Sequence, residues 1–183
     1  MTTPTRVSVE EFLALEETKP YLELINGEVV PKAMPGPKHS AAVLYIGTEL
    51  TLFVRQNRIA RVDTELRHRS PSEAWVFLPD ISVTLRERWP KGATGPIEVM
   101  PDLAIEVLSP DDRPGRLSER VDFYTRAGTR LIWIVDPELE NVTVYRPNAA
   151  PEFLRGTGTL SADPILPGFV LDLETLFRTV RDE

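Results

Sequence analysis

Leu103-Ala104-Ile105-Glu106-Val107-Leu108 is an apolar run interrupted once by a carboxylate, and its reading decides the fold. Its length and apolar density suit a central strand. A carboxylate there is costly to bury unless something pairs it, and a metal ion is one such partner. The other reading is a rim residue, exposed because its strand lies at an edge. Pro79-Asp80-Ile81-Ser82-Val83 poses the same question at Asp80, and Tyr21-Leu22-Glu23-Leu24-Ile25 poses it at Glu23. Asp80 and Glu106 lie 26 positions apart, too far for one local turn. Adjacent strands joined through a surface loop over 86–101 would bring them together. Glu28 and Asp102 are turn-adjacent and read as ordinary solvated acids.

Working outward, Asn26-Gly27 between two apolar runs is the signal for a two-residue hairpin turn, because both positions need positive φ. Ser8-Val9-Glu10-Glu11 is a capping box that opens a short helix. A long helix over 38–57 places Val43, Ile46, Leu50, Phe53 and Val54 on one face. Strands are expected over 59–66, 75–78 and 80–85. A second helix runs over 116–127 and stops at Gly128. Leu131-Ile132-Trp133-Ile134-Val135 reads as a strand buried on both faces, with Val142-Thr143-Val144-Tyr145 pairing beside it. Short strands and a last helix over 172–177 complete the chain. Elements alternate only partly, so the fold class is mixed α/β: a central mixed sheet flanked by helices, with added hairpins. No repeat or long linker divides residues 1–183, and one domain is expected.

On the second helix Leu117, Val121, Tyr124 and Ala127 define the inward arc, and Arg120 falls inside it, with Arg116 at the edge near Phe123. An inward arginine wants a carboxylate or a phosphate; otherwise it snorkels to water or only neutralises Glu106. Tyr124 reads as core. His39, at the start of the long helix, either reaches phosphate or simply sits near a helix end. Arg113, Arg116 and Arg126, and separately Arg67, His68 and Arg69, line a groove or form a solvated face.

With a net charge of −7, the 183-residue chain is not a protein that coats nucleic acid without specificity. A nuclease needs only local basic charge beside an acidic metal site, and is not excluded. Cysteine is absent, which removes disulfides and thiolate metal sites. Without an apolar span or an apolar leader at Met1, a cytoplasmic protein with no membrane contact is expected. Too few aromatics cluster near Asp80 or Glu106 for a sugar platform, which weakens a glycosidase reading.

The ordered series from the 21–30 hairpin through Pro79-Asp80, Glu106-Val107-Leu108-Ser109-Pro110, Tyr124-Thr125-Arg126-Ala127-Gly128 and Trp133-Ile134-Val135-Asp136-Pro137 resembles the PD-(D/E)XK nuclease superfamily. It is most similar to the bacterial restriction-endonuclease-like branch. The resemblance implies Asp80 and Glu106 as Mg²⁺ ligands, with Mn²⁺ as a substitute, and Glu23 as the early acidic residue. It also implies that the superfamily's lysine has moved to the helix position held here by Arg120. The expected function is Mg²⁺-dependent endonucleolytic cleavage of nucleic acid, DNA in the first place, with catalytic Glu23, Asp80, Glu106 and Arg120. Phosphate contacts fall to His39, Arg113 and Arg116, and a homodimer is plausible by resemblance alone. The alternative is a nucleic-acid-binding module that kept the fold without the activity.

Overall fold

The computed structural model describes residues 6–181. Ser8 caps α1 (Val9–Leu13) through the expected reciprocal bonds with Glu11. Strands β1 (Leu22–Ile25) and β2 (Glu28–Pro31) pair around Asn26 and Gly27, both at positive φ. Pro37, with φ already suited to a first helical turn, opens α2 (Pro37–Asn57), which ends on Arg58 in the left-handed region. Five strands follow: β3 (Ala60–Thr64), β4 (His68–Arg69), β5 (Val76–Phe77), β6 (Ile81–Leu85) and β7 (Leu103–Val107). Then come α3 (Pro114–Arg126), β8 (Leu131–Asp136), β9 (Asn141–Tyr145) and β10 (Glu152–Arg155). The chain closes with β11 (Thr159–Ser161), β12 (Val170–Asp172) and α4 (Leu173–Arg181).

The expected mixed sheet has six strands in the order β10-β9-β8-β7-β6-β3, and within it only β7 and β8 run parallel, with α3 as their crossover. A second, antiparallel sheet, β2-β1-β5-β4, lies apart, and β11 and β12 form a small third one. Side chains alternate across β7. Leu103, Ile105 and Val107 join the core formed with α2 and α4, whereas Ala104 packs with Phe123 and Tyr124 of α3. By the same alternation Glu106 faces α3. Helix α3 is thereby held between the two larger sheets, with the Phe123 ring stacked on Trp75 at 4.3 Å between centroids.

Three readings need correction. The 86–101 loop is not all surface, since Ile97 and Met100 are buried. Asp102 is fully buried: it accepts bonds from the Leu85 amide, Arg88 and Arg130, and ties the start of β7 to two loops. His68 is not a groove residue. It lies fully buried on Phe77, with Nδ1 2.9 Å from the Val99 carbonyl and Nε2 without a partner.

Burial pushes the His68 pKa down to about 4, against the weaker opposing pulls of the Val99 carbonyl and Asp63. The imidazole is therefore neutral in the fold, while the unfolded chain protonates near 6.5. Its contribution to stability is complete above about pH 6.5 and is lost as pH falls toward 4, by about 3 kcal/mol in all. Denaturant titrations of wild type and His68→Gln across this window should show a shallower acid loss in the variant. Identical slopes would remove His68 from the acid response.

Candidate metal and phosphodiester site

The antiparallel register of β6 and β7 pairs Ile81 with Ile105 and Val83 with Leu103. Carried one position further, it sets Asp80 opposite Glu106, where side chains of directly facing residues lie side by side. The Val107 amide donates to Asp80 Oδ2 at 2.8 Å, which fixes the carboxylate at the end of the strand pair. Both acids are buried, and both line a cavity of about 20 Å³. That is room for about one water-sized sphere.

The hairpin supplies the next pair of groups. Its two-residue turn pairs Glu23 with Val30 and Leu22 with Pro31, and the Lys32 amide continues the ladder to the Tyr21 carbonyl. Directly opposed residues share a face, so Glu23 and Lys32 emerge on the same side of the ribbon. Lys32 Nζ reaches Asp80 Oδ1 at 2.8 Å, with its side chain only 10% exposed, and also donates to the Leu78 carbonyl. His39, two residues into α2, puts Nε2 3.2 Å from Asp80 Oδ2, and its buried Nδ1 has no partner.

Arg120 is the hub on the opposite side. Its guanidinium donates to Glu106 Oε2 at 2.9 Å and to Glu23 Oε2 at 2.5 Å, with its Nε buried and unpartnered. Glu106 also accepts from the Tyr124 hydroxyl, and Glu23 from the Leu78 amide. Arg120 therefore does not snorkel. Glu23 joins the cluster through Arg120 but does not line the cavity. Arg116 lies at the cavity rim, paired with Glu28 and Glu119, while Arg113 is the exposed residue that precedes α3.

Three carboxylates thus face two fixed cations, Lys32 and Arg120, with His39 beside Asp80. The strain falls on Glu106. Burial, with repulsion from Asp80 and Glu23, lifts its pKa to about 7 despite Arg120 and Lys32. Asp80 moves the other way: Lys32 and His39 overcome its burial and hold it well below the usual carboxylate range. The ammonium of Lys32 is in turn held above its ordinary range, because Asp80, Glu106 and Glu23 outweigh desolvation.

Among the described residues no three His, Cys, Asp or Glu side chains gather as a metal cage. A hard cation of the Mg²⁺ type does not need one, since it commonly takes one or two carboxylates and keeps several waters. Asp80 and Glu106 supply oxygen donors across a space of the right size, where a cation would relieve the repulsion between them. The donor set fits.

Lys32 was missed by sequence reasoning. It stands between Pro31 and Ala33 in a stretch that looks like solvated loop. The available signal was the hairpin register, which puts Lys32 on the face of Glu23. Tyr124, read as core, is core and also a hydrogen-bond donor to Glu106.

Residues 9–174 match a family model, Uma2, described as "Putative restriction endonuclease". A comparison with curated proteins finds no match. Among solved structures, the chain is similar to the crystal structure of a "putative nuclease belonging to DUF820" from Anabaena variabilis. That protein is 30% identical, with a TM-score of 0.89 over 95% of this chain and 99% of the other.

Proposed function

Since the chain belongs to the Uma2 family of restriction-endonuclease-like proteins, we propose that it hydrolyses phosphodiester bonds in DNA, with Mg²⁺ held by Asp80 and Glu106. The observation that carries this reading is the cross-strand pairing of those two acids at one small cavity, with Lys32 and Arg120 beside them. When bound, the metal would lower the pKa of a water and polarise the phosphoryl group.

The chain's own residues supply the rest. Arg120 holds Glu106 and Glu23 in fixed orientations, and its permanent charge keeps it out of proton transfer. Tyr124 fixes the second oxygen of Glu106. Lys32 presents a charged ammonium on a rotatable stem at the cavity, suited to hold a phosphate oxygen and to stabilise charge that develops there. His39 stands where the cavity meets a wider groove along α2, beside the path of an entering strand.

The alternative, an inactive nucleic-acid-binding module, is favoured by a specific observation. All six carboxylate oxygens of Glu23, Asp80 and Glu106 already accept a bond or ion pair from the protein. Two measurements separate the readings. Supercoiled plasmid incubated with Mg²⁺ or Mn²⁺ should be nicked, and a chelator should stop it. Plasmid and single-stranded DNA both left intact at high enzyme concentration favour the inactive module. Mg²⁺ at about 100 times its dissociation constant should add roughly 2.7 kcal/mol of stability, and Asp80→Asn should lose that gain. If both proteins respond to metal alike, the ion is not at Asp80.

A further inference from the structure

The groove along α2 continues past the site. The part that contains His39 and Asp80 holds about 740 Å³, and a second cavity of about 610 Å³ adjoins it through shared walls at Thr51, Arg55 and Val62. This far end is built from the last turns of α2, from β3 and from residues 86–91. It carries Arg55, Arg61, Arg86 and Lys91 around Trp89, against a single lining acid, Glu87. In a chain of net charge −7 this is a local concentration of cations. Arg55, Arg86 and Lys91 make no ion pair among the described residues. Arg61 pairs with Asp63 and lies over the Trp89 ring at 4.2 Å.

We infer that this groove binds a single nucleic-acid strand and leads it to the site at Asp80. Cations that track a backbone, interleaved with an aromatic ring on which bases stack, are the physical requirements for sequence-tolerant single-strand binding. The wall between the two ends offers Leu44 and Leu52, 72% and 49% exposed, which suit the faces of unpaired bases better than the polar surface of a duplex. A base stacking on Trp89 would take the place of the Arg61 guanidinium, which keeps its pairing with Asp63. From His39 to Arg55 the helix rises about 24 Å, which is the length of groove the strand would follow. This inference rests on the nuclease reading only for the strand's destination, not for binding itself.

The test uses intrinsic fluorescence. Of the three tryptophans, Trp75 and Trp133 are 5% and 0% exposed, so Trp89 is the reporter. Wild type titrated with a twelve-residue oligothymidine in chelating buffer should lose tryptophan emission, and Trp89→Phe should not. The exposed pair Arg55→Glu and Arg86→Glu together should weaken binding at least tenfold. They should also flatten the salt dependence by about 1.4 log units per log unit, at roughly 0.7 for each lost single-strand contact. No quenching, quenching that survives Trp89→Phe, or equal binding of a twelve-base-pair duplex would overturn the proposal. Binding with these signatures but no cleavage leaves the groove standing and removes the nuclease. Cleavage with a silent Trp89 does the reverse.

Discussion

Arg120→Ala should cost the metal-free protein about 3–5 kcal/mol, the usual penalty for removing one member of a buried ion pair. The side chain spans Glu23 and Glu106, whose side chains are only 1% and 3% exposed, and among the described residues no other cation forms an ion pair with Glu23. The loss has a second, diagnostic part. If Mg²⁺ sits against Glu106, saturating metal relieves part of the repulsion that Arg120 had offset, and the deficit should shrink. Chemical denaturation of both proteins in chelator and in Mg²⁺ measures the two differences. A metal-free loss below about 1 kcal/mol would mean the pair adds nothing beyond its desolvation cost. An equal loss with and without Mg²⁺ would separate the metal from Glu106.

Lys32→Met should lower cleavage at least 10²-fold while tightening Mg²⁺ binding. The two effects have opposite signs because the ammonium has two roles. It stands 2.8 Å from Asp80 Oδ1 and so competes with an incoming cation for that oxygen, and on the proposed reading it is also the donor held at the cavity. Removing one preorganised donor to developing charge typically costs 10²–10³ in rate. Methionine keeps the length of the side chain, so the packing changes little. Plasmid-cleavage rates at saturating Mg²⁺ and calorimetric titration with Mg²⁺ check the two parts. A variant that cuts normally, or that binds metal more weakly, removes Lys32 from the reaction and leaves it a structural partner of Asp80.

The contrast between these two cations shows where sequence reading succeeds and where it stops. Arg120 was legible because helical periodicity places it among Leu117, Val121 and Tyr124, an apolar arc in which a charge demands an explanation. Glu23, Asp80 and Glu106 were legible for the same reason, as polar breaks in strand patterns. The hairpin, α2 and the strands β7 and β8 follow from equally local signals: a turn that needs positive φ, a period of 3.6, continuous apolar runs. Lys32 and Asp102 carry no such contrast. Each follows a proline at the edge of a strand, and each meets its partners only through distant segments: Leu78 and Asp80 at Lys32, Arg88 and Arg130 at Asp102. The strand β4 escaped for a related reason. Two residues are too few to show a period, and their pairing with β5 is decided by the second sheet as a whole. Phe123, read as the edge of the α3 arc, is central because that helix has a sheet on either side.

The bond from Arg120 to Glu23 closes a span of 97 residues. During synthesis at roughly 5–20 residues per second, Glu23 leaves the ribosome about 5–20 seconds before its counter-charge exists. Until then the hairpin has no cation to bury its acid against, and the second sheet has no α3 to rest on. A chain cut short before α3 keeps all of Glu23, Asp80 and Glu106, yet it lacks the part that lets them share one interior. On the proposed nuclease reading, the site would therefore be assembled only in chains synthesised through α3.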